Sequence, residues 1–299
     1  MEPLVTGIHH VTAFAGNAAR NRRFYTEVLG FRLVKRTVNF DAPTMWHLYY
    51  GHASGAPGTL VTHFPEPRAA RARHGGGEIA SLTLALRPGE LESLVEQLER
   101  AHVACARRTM FGRAVVAFED PDGMLIEAEE RLDFQQQQAP AEIARVSLAV
   151  PDSRATWEFL RDIMGFTESS RDGARTRMEI TGGGSGRELD VLHAPDLPPQ
   201  PLAAGTIHHV AWRVRDDRAQ RDAAQALARA GIAVTPVTDR QYFQSIYFRI
   251  AGGVLFEIAT DGPGFAVDER SDALGRTLCL PPQYESQRRL LAATLPPLE

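Results

Sequence analysis

The chain has 299 residues, 43% of them hydrophobic and 23% charged, and 33 basic against 37 acidic side chains leave a formal charge of −4. That balance suits well-buried globular domains, and it lacks both the basic excess of a nucleic-acid binder and the roughly 20-residue apolar run of a membrane span. Two cysteines, Cys105 and Cys279, are too few for a disulfide framework, and the first residues carry no secretion pattern, so a cytoplasmic protein is expected.

An apolar strand over residues 8–14 comes first. Phe24, Val28 and Leu29 then mark one helix face, and Gly30 stands where that helix stops. Leu48-Tyr49-Tyr50 leads through Gly58 into Thr59-Leu60-Val61, two further strands. The same order returns. A strand over 81–86 precedes Leu91, Leu94, Val95 and Leu98, which fall at i, i+3, i+4 and i+7 of a helix. Residues 115–118 then pass through the turn Asp120-Pro121-Asp122-Gly123 to a strand over 124–127. The third round has a strand over 145–150, a helix face of Trp157, Leu160 and Met164 ended by Gly165, and strands over 176–180 and 189–191. The fourth has a strand over 207–214, a helix ended by Gly231, and strands over 246–250 and 254–257.

The residues just before the four closing strands, Gly58, Gly123, Arg187 and Gly253, are 65, 64 and 66 positions apart. So even an interval marks a repeated unit of strand, helix and about three strands. The repeat divides the chain into modules over 1–66, 78–131, 143–196 and 205–260, with 261–299 as a C-terminal tail. Linkers are expected near 65–77, 135–138 and 195–205, and Arg68, Arg71 and Arg73 in the first read as a solvated loop.

Four such α+β modules, with the Asp120-Pro121-Asp122-Gly123 turn before an apolar strand ending in Glu127, resemble the vicinal oxygen chelate superfamily of glyoxalases, bleomycin-resistance proteins and extradiol dioxygenases. The resemblance implies four βαβββ modules forming two open, barrel-like cavities. It leaves the activity open, because one fold hosts many chemistries.

Two opening strands begin with paired histidines: Ile8-His9-His10-Val11-Thr12 and Ile207-His208-His209-Val210-Ala211. One histidine in a strand is ordinarily a hydrogen-bonded core or surface residue. Two pairs at matching positions of repeated modules point to a metal, since imidazole is the commonest transition-metal ligand. Strand alternation sorts each pair. His208 shares the face of Val210, Trp212 and Val214 under the helix, which leaves His209 toward the open side. His9 goes with Val11 and Ala13, and His10 with Thr12. In the closing strand, Glu257 opposes the face of Val254, Phe256 and Ile258, and a buried carboxylate needs a partner. That partner is a metal, or an arginine such as Arg240 or Arg249. The expected ligands are His10, His209 and Glu257, one metal per chain, so that module 1 pairs with module 4 and module 2 with module 3 around a metal-free cavity. Leu82, Thr83, Val146 and Ser147 stand where histidines would be in modules 2 and 3, Glu127 reads as structural, and His193 is the third-module ligand candidate.

Two histidines and a carboxylate on one face of a metal leave about three positions open. That suits Fe(II), with Mn(II) or another divalent ion compatible. The segments Lys35-Arg36-Thr37-Val38, His47-Leu48-Tyr49-Tyr50, Gly55-Ala56-Pro57-Gly58-Thr59, Asp239 to Arg249 and Gly253-Val254-Leu255-Phe256-Glu257 are similar to the hydroquinone-cleaving branch, whose members resemble 2,6-dichlorohydroquinone 1,2-dioxygenase. The loop before Tyr242 is shorter here, and the stretch from Leu280-Pro281-Pro282 onward resembles bacterial ring-cleaving dioxygenases. By that resemblance His10, His209 and Glu257 hold iron, while His9, Thr12, His208, Arg240 and Tyr247 surround the ligands or touch substrate. A histidine or Tyr247 would move the proton, and Arg240 would steady negative charge. The resemblance implies a small aromatic diol and dioxygen as partners, no nucleic acid or membrane, and leaves a homo-oligomer open. A metal-dependent isomerase or epimerase, a glyoxalase-like enzyme, and a metal-free binding protein are the alternatives.

Overall fold

The computed structural model describes residues 3–135 and 139–299; most of the glutamine linker, residues 136–138, lies outside the described residues. The first repeat is β1 (Gly7–Ala15), α1 (Ala18–Arg23), β2 (Arg32–Asn39), β3 (Ala42–Gly51) and β4 (Leu60–Pro65). The second is β5 (Glu78–Leu86), α2 (Leu91–Arg100), β6 (Cys105–Met110), β7 (Arg113–Glu119) and β8 (Leu125–Glu130). The third is β9 (Glu142–Val150), α3 (Ser153–Phe159), β10 (Phe166–Asp172), β11 (Arg175–Ile180) and β12 (Glu188–His193). The fourth is β13 (Ile207–Val214), α4 (Asp217–Arg229), β14 (Thr238–Asp239), β15 (Phe243–Arg249) and β16 (Leu255–Pro263).

Local chemistry explains the helix limits. The side chains of Asn17, Asp152 and Asp216 accept from the backbone amides of Arg20, Ala155 and Ala219, each capping its helix. α2 buries Leu91, Leu94, Val95 and Leu98 on one face. α1 and α3 each run on into a π-helical turn, Phe24–Val28 and Leu160–Met164, and Gly165 then ends the third helix at φ +81° in the left-handed region. Gln220, buried on α4, donates from Nε2 to the carbonyls of Gln244 and Ile258, which fixes that helix over β15 and β16.

In every module the first strand runs parallel to the last: β1 to β4, β5 to β8, β9 to β12 and β13 to β16. The first strands then pair antiparallel, β1 with β13 and β5 with β9; the two halves meet where Ile207 faces Ile79, and the amides of Ile8 and Ile143 donate across to the carbonyls of Gly186 and Gly58. Modules 1 and 4 therefore share one wall, and modules 2 and 3 another. The helix-side faces form one large apolar core from Val5 to Leu298, while a smaller cluster including Tyr49, Ala211, Tyr242 and Phe243 lines the inside of the first half.

Beyond β16 the sequence suggests only a tail, but the structure folds it onto module 1 through short 3-10 turns and α5 (Arg288–Thr294). Leu280, Leu291, Leu295 and Leu298 are buried there. The Cys279 amide donates to the Arg36 carbonyl, and Trp46 Nε1 donates to the Pro296 carbonyl. Lys35, fully buried, donates at 2.6 Å to both Asp268 and Glu269. No described helix is long and apolar enough to cross a membrane.

Candidate metal centre

The β1–β13 register slips twice, once between Ile8 and His10 and once between Thr12 and Ala13, opposite His209 and Ile207. His9 and His208 are thus the extra residues of two β-bulges. A bulge interrupts alternation, so two consecutive side chains turn to the same side. This corrects the simple face argument: His208 does not sit under the helix but lines the cavity of the first half, beside His209. His9 and His10 likewise both pack against the Phe243 ring, at 5.0 and 5.1 Å.

At the cavity floor, His10, His209 and Glu257 converge from the opening and closing modules, all three buried. Glu257 Oε2 stands 2.9 Å from His209 Nε2 and 3.6 Å from His10 Nε2, and the two Nε2 atoms are 3.4 Å apart. Three ligand atoms each roughly 2.1 Å from one ion, at right angles, lie about 3 Å from one another. Glu257 Oε2 is buried and makes no hydrogen bond. An orphaned carboxylate oxygen facing two imidazole nitrogens is a donor set that fits a divalent cation. The arginine alternative does not hold, because Arg240 pairs with Asp41 and Arg249 donates to the Gly253 carbonyl.

Neighbouring groups hold these atoms in place. His9 and His10 bond Nδ1 to Nδ1 at 3.0 Å, as do His208 and His209 at 2.8 Å, which turns both inner Nε2 atoms toward Glu257. Ser245 Oγ donates to Glu257 Oε1 at 2.5 Å and leaves Oε2 to face the histidines. Burial pulls the imidazoles toward the neutral form that binds metal: His209 and His208 fall to about 3, His9 to about 4, and His10 well below its usual value.

The cavity above encloses about 510 Å³ including its open mouth. Arg240 and Tyr247 line one side; Arg240 Nε donates to Tyr247 Oη at 3.1 Å, and its Nη2 pairs with Asp41 at 3.0 Å across the mouth. Burial raises the Tyr247 hydroxyl well above its usual pKa, with Glu257 adding to the rise, so it stays protonated. Thr12 is fully buried and bonds Thr62 Oγ1 at 2.8 Å rather than reaching the cavity. Sequence reasoning gave no role to Ser245, Phe243 or Asp41; the Ser245 signal was available, since it shares the alternating face of Tyr247.

The second half is built on the same plan with other side chains. Glu257 lies beside Ala211 in the parallel pair, Glu127 beside Thr83, and Asp190 beside Ser147. The position of His209 therefore corresponds to Ser81 in β5 and to Arg145 in β9, not to Leu82, Thr83, Val146 or Ser147. Glu127 accepts from Ser81 and Thr83. Arg145 makes a two-pronged contact with Glu129 at 2.7 and 2.9 Å and reaches Asp190 at 3.1 Å, and Arg177 clasps Asp190 at 2.7 and 2.9 Å. His193 is at the exposed end of β12 beside Ser153, away from the triad. A further grouping, Asp268, Glu269 and Cys279, surrounds the Lys35 ammonium, which supplies its positive charge.

Comparison with known proteins matches this chain to a family. The model described as the Glyoxalase/Bleomycin resistance protein/Dioxygenase superfamily covers residues 7–128 and 142–265. A Bacillus subtilis protein named "Putative ring-cleaving dioxygenase MhqA" is 38% identical, over 99% of this chain and 99% of its own. The chlorohydroquinone/hydroquinone 1,2-dioxygenase of Sphingobium indicum is 33% identical, over 97% of this chain and 96% of its own. A crystal structure of a Bacillus subtilis protein, titled as a putative dioxygenase, superposes with a TM-score of 0.94 at 37% identity, covering 100% and 99% of the two chains. Glyoxalase I from Zea mays, at 15% identity and a TM-score of 0.65, shares the fold alone.

Proposed function

This chain belongs to the glyoxalase/bleomycin resistance protein/dioxygenase superfamily, and we propose that it is an Fe(II)-dependent, extradiol-type ring-cleaving dioxygenase acting on hydroquinone-like aromatic diols. The observation that carries the reading is the buried His10–His209–Glu257 set, with one carboxylate oxygen lacking any hydrogen bond. Relatives of matching length, one of them named for hydroquinone cleavage, support it. Mn(II) is the nearest substitute for iron in such a nitrogen and oxygen site.

A metal held there supplies Lewis acidity and adjacent open coordination positions. The protein supplies the rest. His9 and His208 orient the two inner imidazoles, and Ser245 fixes the carboxylate. His208 faces the cavity; for His209 to keep its Nε2 lone pair for a metal, its Nδ1–H donates to His208 Nδ1, which leaves the His208 hydrogen on Nε2, placed to donate to a substrate oxygen. The Arg240 guanidinium, steadied by Asp41 and Tyr247, stabilises negative charge as the ring oxygen loses its proton. Phe64 and Phe243 give the ring apolar walls. Thr12 acts at one remove, through Thr62.

The test is oxygen uptake by protein loaded anaerobically with Fe(II), then offered substituted hydroquinones and catechols. Stoichiometric uptake with a ring-opened product is expected. Metal-bound protein that consumes no oxygen across the panel, but exchanges substrate protons, would make it an isomerase instead.

A further inference from the structure

One rung of the first cavity wall links a candidate metal ligand to a tyrosine on the far side. Thr12 in β1 faces His209 in β13 and Thr62 in β4, and Thr62 faces Tyr49 in β3. Side chains on this rung join in a hydrogen-bonded chain. Thr12 Oγ1 meets Thr62 Oγ1 at 2.8 Å, Thr62 Oγ1 meets His47 Nε2 at 2.9 Å, and His47 Nδ1 meets Tyr49 Oη at 2.9 Å. His47 and Tyr49 both line the cavity.

The chain has a direction. Thr12 is fully buried, and the Thr62 hydroxyl is its partner among the described residues. A buried hydroxyl that donates to nothing costs about 1–3 kcal/mol, so Thr12 donates to Thr62. Thr62 must then give its own hydrogen to His47 Nε2. A neutral imidazole that accepts at Nε2 carries its proton at Nδ1, and that proton goes to Tyr49 Oη. Burial favours the neutral imidazole, since it drives the His47 pKa well below the usual value. The Tyr49 hydrogen is left over. Its oxygen already accepts, so the hydroxyl is set as a donor at the cavity wall.

We propose that Tyr49, fixed as a hydrogen-bond donor by the Thr12–Thr62–His47 chain, binds the substrate oxygen remote from the metal and so selects para-diols and their 4-alkoxy analogues. This rests on the ring-cleaving reading above and adds its specificity determinant. A hydroxyl or an ether oxygen can equally accept from a donor of fixed polarity, which has nothing to bind on a ring that lacks the second oxygen. Tyr49 touches substrate; His47, Thr62 and Thr12 are positioning residues.

Calorimetric binding to the anaerobic, Fe(II)-loaded protein tests this without turnover, using hydroquinone, 4-methoxyphenol and phenol. Tyr49→Phe is expected to weaken hydroquinone and 4-methoxyphenol about tenfold each, and to leave phenol unchanged. Thr62→Val should cause a smaller loss, about threefold, with the same two ligands, and Thr62→Ser should restore them. Equal losses for all three ligands would overturn the assignment, as would a neutral Tyr49→Phe alongside a selective Tyr247→Phe. Wild-type protein that binds these ligands and consumes oxygen, with no selective effect at Tyr49, would sink this inference alone. Wild-type protein that neither binds nor oxidises any diol would sink the ring-cleaving reading, and this inference with it.

Discussion

Ser245→Ala isolates what orients the carboxylate. Ser245 Oγ and Glu257 are both fully buried, and the hydroxyl donates to Oε1 at 2.5 Å. Alanine removes that donor where water cannot replace it. A hydrogen bond to a charged group contributes about 1.5–3 kcal/mol, and tenfold in affinity corresponds to about 1.4 kcal/mol. Metal binding should therefore weaken roughly 10- to 100-fold, the range seen when groups supporting a ligand are removed. The other half of the molecule provides a matched control. Ser81 donates to Glu127 at 3.2 Å in an equally buried setting, and Thr83 donates to the same oxygen at 3.1 Å. Ser81→Ala should lower the melting temperature but leave metal affinity alone. Anaerobic competition against a chelator of known affinity measures both. Metal affinity within twofold of wild type in Ser245→Ala, or an equal loss in Ser81→Ala, would refute the assignment of Glu257 as the metal-facing carboxylate.

Glu257→Gln should abolish both metal content and oxygen uptake, whereas Glu127→Gln should retain them; metal analysis of anaerobically purified protein decides this, and the reverse pattern would move the site to the other half. Arg145→Met leaves Glu129 and Asp190 short of positive charge in a dry interior, and should cost about 3–5 kcal/mol in urea unfolding with no change in metal affinity. Acid stability should depend on Glu269. Burial alone would raise its pKa, but the Lys35 ammonium and the Gly275 and Thr277 amides outweigh that and hold it at about 2, against 4.5 for the free group. A depressed folded-state pKa gives stability that is complete above about 4.5 and is lost as pH falls toward 2. Glu269→Gln should flatten the fall of melting temperature across that window, and an unchanged slope would show that other carboxylates govern it.

The repeat was legible because each module needs the same alternation and the same helix face, and those periods survive in Leu91, Leu94, Val95 and Leu98 as in the strands. The candidate ligands were legible for a related reason: two histidine pairs and Glu257 break an apolar pattern at equivalent places. What alternation could not show is a bulge. It predicts opposite faces for His208 and His209, and the structure turns both inward because one residue is inserted in each strand. The positions equivalent to the histidines were misplaced for the same reason, since parallel pairing rather than sequence spacing sets them. The tail escaped because its apolar residues are irregularly spaced and belong to no repeat. The Thr12–Thr62–His47–Tyr49 chain escaped because its members sit on three strands and meet only across the rung.

The four modules meet one electrostatic problem in different ways. A carboxylate facing the inside of a barrel is unstable unless something positive or hydrogen-donating meets it. In module 2, Glu127 is met by two hydroxyls; in module 3, Asp190 is met by two guanidinium groups. Module 1 avoids the problem, with Thr62 at the place of the acid, beside Thr12. Glu127 and Glu257 each keep one buried oxygen with no hydrogen bond, but among the described residues it is the module 4 acid that faces two neutral imidazoles. Where Arg145 stands in the third module, a fixed cation fills the interior and leaves no need for an ion. Where His209 stands in the fourth, the side chain brings a lone pair instead of a charge, and the charge has to come from outside. Two positions, His10 and His209 in one half against Ser81 and Arg145 in the other, thus separate a cavity whose donor set suits a metal from one that supplies its own charge.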